Sequence, residues 1–228
     1  MLTFLGAYDY NHPVMQRNNI FAEGEYYHVL GRGNYKQKIF LNNDDHIRFI
    51  FLILFLQLPK IYSDIGDQVY GYKKHGQFRT KYTKKDLKDR YVELVSFCLM
   101  PNHYHLIVKE SKEGGISRYM QRILNSFTKY HNIKHEKIGH LFQGPFKAVR
   151  MEDNEQLLHL SAYVHLNPRE LSRWKGRELQ YLWSSYQDFC SNNRWGELLR
   201  PNIIVEQFGS VNDYRDFVEE SGVKEFKE

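Results

Sequence analysis

The chain has 228 residues, 42% of them hydrophobic, which is enough to bury the core of one large domain or two small ones. Lys and Arg number 32 against 27 Asp and Glu, and the resulting net charge of +5 permits an acidic partner without requiring one. The two cysteines, Cys98 and Cys190, lie far apart in sequence, which argues against a disulfide framework and favours a reducing cytoplasm.

The first elements in chain order are a strand and a long helix. The opening stretch "MLTFLGAYDYNHPV" lacks the basic and apolar regions of a secretory signal, so none is expected. Residues 25–32 are rich in aromatic and β-branched side chains and lead into glycines, which predicts a strand followed by a turn. Residues 44–58 begin with acidic capping residues and stop before Pro59, which predicts a buried helix. Its apolar run of about a dozen residues is too short to cross a bilayer.

The later elements alternate between strands and helices. Residues 92–100 and 103–109 predict two strands joined by a Pro101-Asn102 turn. Apolar residues at helical spacing predict a helix over 116–131 and another over 155–166, with a further strand at 146–151 between them. This alternation predicts an α+β fold in which helices pack on a sheet.

Residues 60–90 differ from the rest of the chain in charge. They hold nine Lys or Arg against four Asp, so the whole excess of positive charge lies there. One interpretation is a solvated, mobile insertion. The other is a phosphate-contacting arm whose tyrosines stack on bases.

The motif "MPNHYHLIV" places two histidines one residue apart at the start of a predicted strand. Side chains alternate along a strand, so His103 and His105 should share one face, about 7 Å apart, while Tyr104 points to the other. Two imidazoles on one face can converge on a single metal ion. Since an H-x-H pattern alone is weak, a chance pair in a hydrogen-bonding role is the alternative.

A second segment, "LHLSAYVHLNP", offers further groups. On a helix His159, Tyr163 and Asn167 follow at intervals of four residues and share one face. Two imidazoles and the amide oxygen of Asn167 suit Mg²⁺ or Mn²⁺ better than a structural zinc. The phenol of Tyr163 would then lie beside the metal, ready to attack a phosphodiester. The alternatives are a core tyrosine at 163 and a simple helix C-cap at Asn167.

Five motifs in order carry a family resemblance: "YYHVLGRGNYKQKIF", "MPNHYHLIV", "GHLFQGPFKA", "AYVHLNP" and "WSSYQDF". They resemble the single-tyrosine transposases of the HUH nuclease class, in the REP-associated branch with its insertion-sequence-200-like domain. HUH stands for histidine, bulky hydrophobic residue, histidine, which His103-Tyr104-His105 matches. The family's nucleophile pattern Tyr-x-x-x-Asn is matched by Tyr163 and Asn167. The chain departs from the family at Pro145, where many relatives have an arginine.

The resemblance implies a fold and a chemistry. The fold is α+β, an antiparallel sheet with helices packed on one side, similar to the ferredoxin-like or RRM palm. A divalent metal, Mg²⁺ or Mn²⁺, is held by His103, His105 and Asn167, and Tyr163 attacks single-stranded DNA beside a hairpin to form a 5′-phosphotyrosine link. The implied domains are residues 20–190, with the basic insertion at about 60–90, and a helical tail at 191–228.

The candidate DNA contacts are basic or amide side chains, namely Arg32, Asn34, Lys73, Lys74, Arg79 and Lys147. For the first two, an ordinary polar turn is the alternative. Two other functions compete with the transposase: a hairpin-binding module without catalysis, and a metal-dependent hydrolase that activates water. For the transposase we expect a monomer or homodimer acting in the cytoplasm without a membrane partner, and associated with the nucleoid when bound to DNA.

Overall fold

The computed structural model describes residues 21–60, 65–79 and 82–221. The N-terminal stretch considered for a signal, parts of the predicted basic segment (61–64 and 80–81) and the end of the predicted tail (222–228) lie outside the described residues. No helix within the described ranges is both long enough and apolar enough to cross a membrane.

The centre of the molecule is a sheet of four strands, β1 (Tyr26–Arg32), β2 (Val92–Met100), β3 (His103–Glu110) and β4 (Lys147–Arg150). The strands lie in the order β2-β3-β1-β4, and each pair of neighbours is antiparallel. With helices between β1 and β2 and between β3 and β4, this is the βαββαβ arrangement of ferredoxin-like folds. The predicted α+β class and antiparallel sheet are confirmed.

The helices of the described residues begin and end close to the predicted limits where a prediction exists. In chain order they are α1 (Asn43–Phe55), α2 (Ile65–His75), α3 (Lys84–Lys88), α4 (Gly115–Lys134), α5 (Asn154–Leu166), α6 (Tyr186–Cys190), α7 (Asn202–Val205) and α8 (Val211–Glu220). The helix α1 is buried along most of its length, as predicted, and Asn42 caps its first turn by accepting from the backbone N–H of Asp45.

Helices cover both faces of the sheet, whereas the prediction placed them on one side. The tyrosine face, with Tyr104, Leu106 and Val108 of β3, packs against α1 and α4 in a first core cluster. The histidine face, with His103, His105 and Ile107, lies under α5, and the second core cluster there also takes in α6 and α8. The physical reason lies in β2, which is almost continuously apolar and so needs cover on both sides.

The basic segment is built mainly on the first core cluster. Tyr72 of α2 packs against Phe51 of α1, and Phe78 packs against Phe51 and Trp195. Thr83 starts α3 with a reciprocal capping box to Asp86. The described part of this segment is therefore packed on the core, with its lysines and Arg79 exposed and Arg90 buried.

Candidate active site

The two histidines open β3 directly after the Pro101-Asn102 turn. Both side chains lie on the histidine face, their ring centroids 5.0 Å apart, and only 4% of His103 and 1% of His105 is exposed. Tyr104 points to the other face, as predicted, and is fully buried. Its ring lies over Gly31 of β1, where a Cβ would collide with the phenol. This contact fixes the strand that carries both histidines.

The helix α5 brings two more predicted residues to the same face. Asp153 caps it by accepting from the N–H of Gln156 at 2.8 Å, and Pro168 follows its end. The half-buried Tyr163 ring lies edge-to-face with the ring of His105, with centroids 5.4 Å apart. At the C-cap, Oδ1 of Asn167 lies 3.1 Å from Nε2 of His103. The structure thus brings all four predicted catalytic and metal residues together.

A buried histidine outside this group anchors α5 to the sheet. His165 Nδ1 lies 2.7 Å from the hydroxyl of Tyr214 on α8. Its Nε2 lies 2.9 Å from Ser185 Oγ and 3.1 Å from Ser96 Oγ on β2. Because these contacts join α5, β2 and α8, they hold the helix that carries Tyr163 at a fixed place on the sheet.

Burial keeps two histidines of this region, His105 and His28, neutral. Burial lowers the pKa of His105 well below its usual range, and the nearby His28, His103 and Arg32 lower it further. Burial also lowers the pKa of His28 on β1, to about 4. At neutral pH both rings therefore carry one proton each, and each has a nitrogen lone pair to offer.

The hydrogen bonds around His103 indicate how the site fits a cation. Asn102 donates from Nδ2 to the carbonyl of Lys36, so its Oδ1 accepts from Nδ1 of His103 at 2.7 Å. In the neutral ring Nε2 then carries a lone pair facing Oδ1 of Asn167, which is also an acceptor. Two acceptors 3.1 Å apart need a cation or a proton between them.

Three polar atoms in this region are buried without a hydrogen-bond partner in the described structure: His28 Nδ1, His105 Nε2 and Asn167 Nδ2. Such atoms are costly, and a cation would satisfy His105 Nε2. No group of three or more His, Cys, Asp or Glu within the described residues is arranged to hold a metal. A metal site here therefore depends on the amide oxygen of Asn167 as third ligand, and this donor set fits a hard divalent ion.

Comparison with known proteins supports the resemblance inferred from the motifs. Residues 69–167 match the sequence profile of a family described as "Transposase IS200 like". The matched region contains His103, His105 and Tyr163 and ends at Asn167. The predicted resemblance to IS200-like transposases is confirmed.

The fold of this chain is also similar to a solved structure described as "Structure of the REP associates tyrosine transposase bound to a REP hairpin". The TM-score is 0.54 at 14% sequence identity, and the likeness covers 79% of this chain and 87% of that chain. At this identity the likeness concerns the fold. No match was found among curated proteins. The family profile supports a transposase function.

The candidate DNA contacts fall into two groups. In the sheet Arg32 lies directly opposite His103, and Lys147 opposite Leu30, so both belong to the histidine face. Asn34 follows β1 in the adjoining turn, beside a cleft of about 710 Å³. The second group, Lys73, Lys74 and Arg79, is exposed on or just after α2, and its neighbours pack on the tyrosine-face cluster. Lys73 there forms an ion pair with Asp44.

The structure places two other histidines differently from what the sequence predicts. His159 is exposed near Glu155 and Phe217 and does not enter the site. His28, to which the sequence analysis assigned no role, is buried at the site with its Nε2 2.9 Å from Nδ1 of His105. The period of two along β1 indicates which residues share its face, but only the pairing register of β1 with β3 brings His28 beside His105.

Proposed function

We propose that the protein is a metal-dependent single-stranded DNA endonuclease and strand transferase that acts beside DNA hairpins through a 5′-phosphotyrosine intermediate. The observation that carries the proposal is the position of the Tyr163 ring, edge-to-face with His105 in the pocket where His103 meets Asn167. A phenol beside a candidate cation site is the arrangement that nucleophilic attack on a phosphodiester requires.

His103 and His105 would hold Mg²⁺ or Mn²⁺ through Nε2, and Asn167 through Oδ1. When bound, such a cation polarises an oxygen of the scissile phosphate and offsets the charge that develops there. The protein's own contribution is to keep the His105 imidazole neutral by burial and to hold both buried rings in place. The hydrogen-bond network around His165 holds α5, and with it Tyr163, in a fixed position relative to both imidazoles.

In the proposed reaction the phenol of Tyr163 gives up its proton to water, and its oxygen attacks the phosphorus. A new oxygen–phosphorus bond forms, the bond to the 3′ oxygen breaks, and that oxygen takes up a proton to leave as a 3′-hydroxyl. The 3′-hydroxyl of a second strand reverses the step. Because the covalent link conserves the energy of the phosphodiester, joining needs no ATP.

Single-stranded DNA would approach across the histidine face, where Arg32 and Lys147 offer contacts to phosphate, with Asn34 in the turn after β1 as a further contact. Lys73, Lys74 and Arg79 would contact only DNA that extends round to the tyrosine-face side. The reaction is assigned to the cytoplasm, on DNA of the nucleoid, by a monomer or a homodimer.

The test is a denaturing gel of the protein mixed with labelled single-stranded hairpins from the DNA flanking its own gene, with Mg²⁺ or Mn²⁺. We expect a slow covalent band that disappears with EDTA and in Tyr163→Phe. The control is Tyr130→Phe, because Tyr130 lies on α4 and contacts Asp45 rather than the histidines, and this variant should keep the band.

Other outcomes would replace the proposal. Cleavage without an adduct would favour a water nucleophile and a hydrolase. A mobility shift on a native gel with neither cleavage nor adduct would favour a hairpin-binding module without catalysis. An adduct that survives Tyr163→Phe would overturn the assignment of the nucleophile.

A further inference from the structure

We propose that His28 is a positioning residue that decides which nitrogen of His105 carries the proton. By accepting a hydrogen bond from Nδ1 of His105, it leaves the lone pair of Nε2 free for a divalent cation. The inference rests on the proposed function for the role of that cation, while the proton position itself is a property of the protein alone. His28 lies on β1, outside the region that matches the family profile.

The geometry requires one shared proton. Nε2 of His28 and Nδ1 of His105 lie 2.9 Å apart, and the angle between the two ring planes is 19°. Exposure is only 4% for His28 and 1% for His105, so bulk water does not supply other partners. At this distance one nitrogen must donate and the other accept.

Only one direction of that hydrogen bond allows His105 to bind a metal. If His28 donated, the neutral His105 ring would carry its own proton on Nε2, which could not then ligate. A charged His28 ring would not change this, because it too donates from Nε2 and leaves the proton of a neutral His105 on Nε2. If His105 donates from Nδ1, its Nε2 becomes a buried lone pair without a partner, which a cation satisfies.

The second histidine of the site is oriented in the same way by a different residue. Nδ1 of His103 lies 2.7 Å from Oδ1 of Asn102, which can only accept, so Nε2 of His103 carries the lone pair. His28 and Asn102 thus occupy equivalent positions behind the two candidate ligands. Acceptors behind metal-binding histidines fix the tautomer and the ring orientation in known metal sites.

The proton position can be read directly without metal or DNA. We would record long-range proton–nitrogen NMR spectra of the full chain labelled with ¹⁵N-histidine. The expected result is a His105 ring protonated at Nδ1 and unprotonated at Nε2. A His105 ring protonated at Nε2 in the wild-type protein would overturn the inference. The ring of His103, oriented by Asn102, is an internal reference that should be protonated at Nδ1 as well.

Two variants distinguish the role of His28 as a hydrogen-bond acceptor from the space that its ring fills. His28→Gln retains an oxygen able to accept near the place of Nε2, whereas His28→Phe retains the ring volume without an acceptor. In a Mn²⁺ titration followed by the EPR signal of the free ion, His28→Phe should bind about 10–100-fold more weakly than wild type, and His28→Gln within about threefold of it. In His28→Phe the proton of His105 should also redistribute towards Nε2, with the His103 signal unchanged.

Equal Mn²⁺ affinity in wild type and His28→Phe would contradict the inference. So would a loss in His28→Gln as large as in His28→Phe, which would make His28 itself a ligand or a packing residue. Failure of the wild-type protein to bind Mn²⁺ would instead remove the metal from the proposed function. The NMR spectra of the metal-free protein would still decide the proton position.

Discussion

Two buried histidine networks lie on the same face of the sheet, and they differ in how completely they are satisfied. Around His165 both ring nitrogens have partners, in Tyr214 and in the two serines. Around His105 one nitrogen is bonded to His28 and the other, Nε2, has no partner among the described residues. Both rings are almost completely inaccessible to solvent. Burial alone therefore does not distinguish a structural histidine from a candidate ligand.

The difference teaches that hydrogen-bond accounting is the better criterion. A satisfied network in a low-dielectric interior fixes the elements it joins, whereas an unsatisfied buried nitrogen costs free energy that other contacts must offset. The satisfied network around His165, the closed network, stabilises α5. This helix presents Tyr163 and Asn167 to the unsatisfied network around His105, the open network. The same substitution made in each network should then have opposite consequences.

The largest expected effect is on activity, in the open network. His105→Phe retains the ring volume and removes the orphaned nitrogen. Adduct formation should fall by at least about a thousandfold, because the charge stabilisation supplied by a metal is worth several kcal/mol. The free energy of unfolding should stay within about 1 kcal/mol of wild type. Gel assays and urea unfolding measure the two, and a fully active variant would remove His105 from the site.

The matched substitution in the closed network should act on stability. His165→Phe retains the stacking on Tyr186 but loses the hydrogen bonds to Tyr214 and Ser185. The free energy of unfolding should fall by about 2–4 kcal/mol, since several buried partners lose a bond. The control is His159→Phe on the exposed side of the same helix, expected to change stability by less than about 0.5 kcal/mol. Equal losses at 159 and 165 in urea unfolding would contradict the closed-network interpretation.

A smaller effect is expected from acid. Burial lowers the pKa of His165 to about 3 and that of His46 to about 4. In the unfolded chain both take up protons near the ordinary pKa of about 6.5, so the unfolded state binds more protons below that pH. The free energy of unfolding should be largest above this value. It should then fall, by up to about 1.4 kcal/mol per pH unit for each histidine, until the folded-state pKa is reached.

Urea unfolding across this acidic range measures the slope. His165→Phe should reduce the slope of the free energy of unfolding against pH by the contribution of one histidine. The reduction should be additive with that of a substitution at His46, which lies on the opposite face of the sheet. A slope unchanged in His165→Phe would mean that this ring is not held neutral by the fold.

The smallest effect is expected on the affinity for single-stranded DNA, when the two groups of candidate DNA contacts are compared. Lys147→Gln on the histidine face should weaken binding of single-stranded DNA several-fold and reduce the slope of log affinity against log salt by about 0.7. Lys74→Gln on α2 should change both much less for a short oligonucleotide. Fluorescence anisotropy at several salt concentrations measures both quantities. A larger loss in Lys74→Gln would favour the basic segment as the main DNA-contacting surface.

Much of this arrangement follows from local sequence rules. The period of two in a strand separates His103 and His105 from Tyr104, and the period of four on a helix aligns Tyr163 with Asn167. The place of His28 did not follow, because strand register depends on contacts between distant segments. The cover on the second face escaped prediction for a similar reason, since α6 and α8 are short and acquire their role only by packing on α5.

The hydroxyl of Tyr214 that meets His165 has a consequence for the smallest piece of the chain that can work. A chain shortened to residues 20–190 would keep every candidate metal ligand and the candidate nucleophile Tyr163. It would lack α8, and with it the Tyr214 hydroxyl that completes the His165 network. The first effect would be a displacement of α5, which carries the candidate nucleophile Tyr163, before the sheet itself unfolds. The reactivity expected at Tyr163 therefore depends on α8, far along the chain from the candidate site.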